Sequence, residues 1–255
     1  MDLISEHGCF GGMQAYYRHA SSEIGLPMRF SGYRPPQQSA GPVPVLGYLA
    51  GLTYTEETFM IKAGAQRYAA RRGAALHGTA SCWSHPTPVR YTGIEGVTAD
   101  WDVGEGTGFY LDASTPVYTR HFRMASYIVD ELLPLIAAQF ATVPGKVSVL
   151  GHSMGGHGAL VPALRYPGLF HSVSAFAPIA APTRCPWGEK VFSRHLGEDR
   201  NDWLEHDASA PKSQRHTPFP ASILIDQSLS DPFLETQLKP ELFEAACLHA
   251  EQPLT

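Results

Sequence analysis

KVSVLGHSMGGHGALVPALRYP (146–167) joins a strand pattern to a helix pattern through a glycine-rich turn. Its first half, KVSVLGHS, is short, apolar and β-branched, which predicts a buried strand over 146–153. Its second half, MGGHGALVPALRYP, predicts a helix over 154–167 that stops before Pro167. At the join, Gly151-His152-Ser153-Met154-Gly155 matches G-x-S-x-G on a strand-to-helix turn. Such a turn is sharp and its serine strained. Glycines two residues to each side let neighbouring backbone approach with no Cβ in the way. The turn sets the Ser153 Oγ at a helix N-terminus, where backbone N–H groups and the helix dipole favour negative charge. The Met154 N–H is then placed to bind an oxyanion. The competing reading is a tightly packed glycine-rich turn without chemistry. A strand leading in and a helix leading out are the context that the motif demands.

Outward from this stretch, strands and helices alternate. PVPVLGYLAGLT (42–53) reads as a buried strand running into a loop. TEETFMIKAGAQRYAARRG (55–73) reads as a helix that stops at Gly73. HFRMASYIVDELLPLIAAQF (121–140) has helical apolar spacing with a kink expected at Pro134. HSVSAFAPI (171–179) and ASILIDQ (221–227) are further strands, and PFLETQLKPELFEAACLHAEQ (232–252) is mostly helical, interrupted at Pro240. This order implies an α/β fold with a mostly parallel central sheet and helices on both faces. One stretch resists the pattern. AALHGTASCWSHPTPVR (74–90) falls where another central strand is due, yet it has no apolar run and reads as an irregular loop.

The 255 residues suffice for one α/β domain over 1–255, able to bury roughly 70–75% of the unfolded surface. Hydrophobic residues make up 44% of the chain, which excludes a disordered chain. The net charge of −5 and the lack of a basic run argue against nucleic acid and membrane surfaces as partners. No apolar run approaches a membrane span, and MDLISEHGCF carries no secretory signal. Cys9, Cys82, Cys185 and Cys247 lie far apart and read as reduced thiols of a cytoplasmic protein. No H-E-x-x-H or comparable cluster suggests a metal.

A serine nucleophile in this setting needs an acid, then a histidine, later in the chain. ASILIDQSLSDPF offers Asp226 at the strand's end and Asp231 in the loop beyond. The loop position can reach the top of the sheet, so Asp231 is preferred, although Asp-Pro also suits a helix cap. Asp226 is expected to make local backbone hydrogen bonds. The Leu52 N–H, in the loop after an earlier strand, is the candidate second oxyanion donor, while Thr53 or Thr55 could instead cap the next helix. Only His249 follows Asp231, and it falls inside a helical segment, so it reads as a partly exposed helix residue. His152 and His157 flank the serine on the wrong side in chain order, and His152 reads as a packing residue beside the elbow.

CFGGMQAYYRHAS (9–21), AGLTYTEETF (50–59), WDVGEGTGFYLDA (101–113), GHSMGGHGAL (151–160), SVSAFAPI (172–179), CPWG (185–188) and ILIDQSLSDPF (223–233) together resemble the S-formylglutathione hydrolase (esterase D) family of the α/β-hydrolase fold. The resemblance implies hydrolysis of S-formylglutathione to formate and glutathione in formaldehyde detoxification, with side activity on simple esters. It implies no cofactor, a cytoplasmic location and members that often form homodimers. It maps the nucleophile onto Ser153, the acid onto Asp231, and the oxyanion donors onto Leu52 and Met154. Three departures stand out. Tyr54 takes the place where the family commonly has cysteine. SCWSHPTPVR stands where the family has a buried strand followed by a Pro-Asp-Thr-Ser-Pro-Arg segment. The family's histidine follows one more strand, so the last strand, histidine loop and C-terminal helix are expected to be missing from a chain ending at Thr255, and the triad histidine with them. Two further functions are then open: a catalytically impaired remnant, and a related serine acyltransferase.

Overall fold

The computed structural model describes residues 1–72, 81–88, 108–210 and 218–255, with the backbone alone over 81–88. The strand β6 (Thr142–His152) runs through the middle of the sheet, parallel to β4 (Val43–Leu49) on one side and β7 (Ser172–Phe176) on the other. Leu49 pairs with Gly151, and Gly151 with Ala175, so the three strands end at the same level. The loops at those strand ends therefore meet over one edge of the sheet, where ligands bind in open α/β folds. Beyond β7 lies β8 (Ile223–Asp226), and residues 253–255 begin to pair with it in parallel through Ile223 N–H to Pro253 O and Thr255 N–H to Ile223 O.

On the other side of β4 comes β5 (Ser81–Pro88), then β3 (Pro27–Arg34), β2 (Gly12–Ala20) and β1 (Asp2–Cys9). The last three run antiparallel, and β3 also pairs antiparallel with β5. The apolar pattern of the sequence does not announce this antiparallel wing. Its signal is the CFGG turn, in which Phe10 (φ 48°) and Gly11 (φ 76°) both take positive φ as a two-residue hairpin requires. The position of β5 corrects the expectation of an irregular loop over 74–90. Residues 81–88 form a strand, parallel to β4 and antiparallel to β3, although they contain two prolines. Backbone pairing on both sides supplies what their side-chain pattern does not advertise. Residues 74–80 and 89–90 of that expectation lie outside the described residues, as do His77 and the side chains of Cys82 and His85.

Helices cover both faces. Met28 and Phe30 of β3 join the main core with Tyr127 and Leu132, while Tyr33 of the same strand packs on Met60, Phe59, Ala69 and Ala70 in a second cluster. The helix expected over 55–73 is two short helices, α1 (Thr58–Lys62) and α2 (Ala65–Arg72), parted at Gly64 with φ 61°. The helix expected over 121–140 is α3 (Met124–Ser126), a π-helical segment (Tyr127–Leu132) and α4 (Leu133–Gln139). Pro134 lacks an N–H and its ring would press on the carbonyl four residues back, and the wider π turn before it absorbs both effects. The elbow helix is α5 (Met154–Arg165), followed by α6 (Pro186–His195), α7 (Arg200–Trp203) and α8 (Pro240–His249). Every residue of α5 from Met154 to Ala163 is buried. A helix wrapped on all sides needs small residues, and a Cβ on Gly158 would sit 2.4 Å from the Tyr110 ring.

Two histidines of this core couple stability to pH. His157 on α5 lies against Phe109 and Phe192 (5.9 and 6.2 Å between ring centres), and His195 on α6 against Tyr118 and Phe122 (4.7 and 4.9 Å). Burial pushes the pKa of His157 down to about 3 and that of His195 down to about 4. The unfolded chain binds these protons near pH 6.5, so stability is full above that pH and falls with acid until the folded values are reached. At pH 5 each histidine is expected to cost about 2 kcal/mol relative to pH 7. Urea midpoints at the two pH values check this, and His195→Leu should flatten the dependence.

Candidate active site

The elbow is built as the motif requires. Ser153 has φ 56° and ψ −119°, a strained conformation for a side chain with a Cβ. Three backbone hydrogen bonds hold it: Ser153 N–H to Phe176 O at 2.9 Å, and the N–H groups of His157 and Ile179 to Ser153 O at 3.1 and 3.2 Å. The flanking glycines are there for space. A Cβ on Gly151 would fall 1.9 Å from the Gly155 carbonyl oxygen, and one on Gly155 would fall 2.0 Å from that of Leu49. Met154 is the first residue of α5, so its N–H emerges at the helix N-terminus.

The loop after β4 carries Leu52, the residue expected to offer the opposing donor. Among the described residues no backbone carbonyl accepts the Leu52 N–H. The next residue, Thr53, is held at φ 67°, a costly conformation for a β-branched residue. Ala177, at the end of β7, has φ 43°. Strain at Thr53, Ser153 and Ala177 thus borders one small site, the usual place for strain that serves function. Thr55 and Thr58 brace the turn ahead of α1, Thr58 Oγ1 accepting the Thr55 N–H at 3.2 Å and Thr55 Oγ1 the Glu57 N–H at 3.4 Å, while the residue before the helix, Glu57, makes no side-chain cap.

Gly51, Leu52, Tyr54, His152, Ser153, Ala177, Trp187, Asp231, Phe233 and Leu238 enclose a pocket of about 210 Å³. Ser153, Leu52 and Asp231 are therefore brought together from three loops. Asp231 also caps the turn that it opens, its Oδ1 accepting the Phe233 N–H at 2.8 Å, so the pocket and capping roles coexist. Asp226 stands apart, its backbone carbonyl accepting the Ala177 N–H at 2.8 Å. His249 is exposed on α8 and does not line the pocket. His152 does line it, its ring stacked on Tyr54 at 6.1 Å and 16°. Burial lowers the His152 pKa, partly offset by the Asp231 carboxylate, which leaves the neutral ring favoured. Among the described residues no hydrogen bond joins His152 to Ser153 or Asp231.

The aromatic walls escape residue-by-residue reasoning. Trp187 and Phe233 pack at 4.9 Å across from Tyr54, and the Trp187 backbone N–H donates to Gln237 Oε1 at 3.0 Å. Buried Asp207 holds the loop leading to Trp187, accepting from the Thr183 N–H and Oγ1 at 2.9 and 2.6 Å. Only the CPWG segment hints at Trp187, because these residues come from separate loops with no shared period. A larger, mostly apolar groove of about 1220 Å³ lies along β4, β6 and β7 beside α1 and α2, and neither Ser153 nor Asp231 lines it. Among the described residues no group of three or more His, Cys, Asp or Glu could hold a metal ion. None of their helices is long and apolar enough to cross a membrane.

The Esterase family model ("Putative esterase") matches residues 21–255. The chain is 42% identical over 252 residues to the S-formylglutathione hydrolase of Mus musculus, covering 98% of this chain and 87% of that one. The structure of an S-formylglutathione hydrolase from Agrobacterium tumefaciens superposes with a TM-score of 0.92 at 39% identity, covering 100% of this chain and 89% of that one. An S-formylglutathione hydrolase from Staphylococcus aureus shares the fold at a TM-score of 0.69 and 17% identity, over 95% of this chain and 89% of that one. On its elbow, its α/β sheet and these likenesses, the chain belongs to the S-formylglutathione hydrolase family of esterases of the α/β-hydrolase fold.

Proposed function

We propose that this chain is a serine thioesterase that hydrolyses S-formylglutathione to formate and glutathione, with side activity on simple esters. The observation that carries this reading is the strained Ser153 sharing a pocket of about 210 Å³ with Leu52 and Asp231. That volume is below the range of drug-sized sites and suits an acyl group of one carbon, with the thiol portion directed outward. Ser153 Oγ adds to the thioester carbonyl as its proton passes to the imidazole base that the family resemblance implies, a part for which no histidine ring among the described residues is hydrogen-bonded to Ser153 or Asp231. The Leu52 and Met154 N–H groups hold the resulting oxyanion, each such donor being worth about 2.7–4 kcal/mol in comparable enzymes. The C–S bond then breaks, the sulfur leaves as glutathione, and water hydrolyses the formyl-serine ester. Asp231 orients the imidazole and stabilises its cation. A thiol of pKa near 8.5 leaves more readily than an alcohol, which accords with a thioester substrate.

One observation favours a second reading: His249, which comes after Asp231 in the chain, lies outside the Ser153 pocket. In that reading the site binds the thioester and turns it over slowly, at the roughly 10³–10⁴-fold over water that an incomplete triad retains. Thiol release from S-formylglutathione, followed at millisecond resolution, separates the two. The thioesterase shows a burst of one thiol per chain, and the slow reading shows none. Preferential formation of formate esters when methanol is added would instead mark an acyltransferase. The reading includes a cytoplasmic place of work, supported by the free thiols of Cys9, Cys185 and Cys247, and a homodimer, which sedimentation velocity tests.

A further inference from the structure

Outside the reacting centre, one charged group is poised at the pocket. Tyr54 lines it beside Ser153, with one ring face stacked on His152. The Lys62 ammonium, from the last turn of α1, stands 5.9 Å from the centre of the same ring. That distance is the outer limit of a cation–π contact, so the ammonium is held near the ring without being locked to it. Lys62 is exposed and forms no ion pair among the described residues. The pocket lining has no lysine or arginine, and its one carboxylate is Asp231. A net charge of −5 would repel an anionic substrate unless a cation stood at the entrance.

We propose that Tyr54 and Lys62 form the subsite for a carboxylate on the thiol side of the substrate, Lys62 supplying the charge and Tyr54 the platform that holds it over the pocket mouth. This rests on the thioesterase reading given above, since the thiol there is a peptide carrying two carboxylates. The His152 ring behind Tyr54 fixes the platform, and the four-carbon stem of Lys62 lets the ammonium swing from the ring to the carboxylate. The role is one of binding and positioning. Lys62 touches none of the reacting atoms.

The test compares S-formylglutathione with a neutral aryl ester, p-nitrophenyl acetate, and adds calorimetry with S-methylglutathione, an unreactive thioether. Lys62→Ala is expected to raise KM for the thioester about threefold and Lys62→Glu about tenfold relative to the neutral ester, with kcat unmoved. Lys62→Arg should restore binding, and the fall of thioester kcat/KM with added salt should be lost in Lys62→Glu. Arg120→Glu, the same charge change on an exposed residue elsewhere, serves as the control. Equal S-methylglutathione affinity in wild type and Lys62→Glu overturns the subsite and leaves the thioesterase reading standing. A wild-type chain that neither hydrolyses the thioester nor binds the thioether overturns both.

Discussion

Ser153→Ala is expected to abolish labelling by a fluorophosphonate and to lower kcat/KM for S-formylglutathione at least about 10³-fold, with the fold intact. The reason is geometric. Only a side chain at the tip of the elbow faces both the Leu52 N–H and the start of α5, and no other hydroxyl lines the pocket except that of Tyr54. The same strain predicts an opposite effect on stability. Glycine adopts φ 56° and ψ −119° without a Cβ conflict, so Ser153→Gly should be as inactive as the alanine variant and more stable than wild type by about 1–2 kcal/mol. Intact-protein mass spectrometry after labelling, thioester assay and thermal unfolding read the three effects. A labelled Ser153→Ala chain would remove Ser153 from the mechanism.

Gly155→Ala is expected to be the most disruptive single-methyl change at the site, costing more than about 4 kcal/mol or preventing folding. Its Cβ would lie 2.0 Å from Leu49 O, 2.4 Å from Leu49 C and 2.7 Å from Ala50 O. All three are backbone atoms, so relief requires β4 and α5 to move apart by about an ångström, a form of overpacking that cores resist. The displaced segment leads directly to Leu52, so whatever folds should also lose oxyanion stabilisation. Gly8→Ala is the contrasting case, since nothing lies within 4 Å of the added methyl and the backbone there is extended. It should change stability by less than about 0.5 kcal/mol. Urea unfolding of both variants checks the pair, and a stable, active Gly155→Ala protein would refute the close approach of β4 and α5.

The parallel half of the sheet is legible because buried strands leave a mark in one dimension. VSVL, VSAF and ILID are apolar runs bounded by turn residues, and each is a strand. The antiparallel wing is harder to read, although β2 and β3 alternate, because their buried positions are filled by Tyr17, His19, Ser31 and Tyr33 as well as aliphatic residues. Segment 81–88 misleads for the same reason: its two prolines hide a strand that lies between β3 and β4. The π-helical turn before Pro134 comes from a clash that the sequence locates and whose resolution only packing selects.

At the site the division is sharper. G-x-S-x-G identifies Ser153 and Met154 because the elbow is local, made from five consecutive residues whose sterics demand glycine at fixed offsets. Asp231 and Leu52 can be ranked from chain order and loop position. Their meeting around one pocket with Trp187 and Phe233, and the placing of Lys62 over Tyr54, are decided by the common level at which β4, β6 and β7 end. Short-range periodicity and sterics thus mark the fold class in the chain and single out Ser153 as the candidate nucleophile. Which distant side chains share the pocket depends on strand register and loop paths, and these leave no periodic trace in the chain.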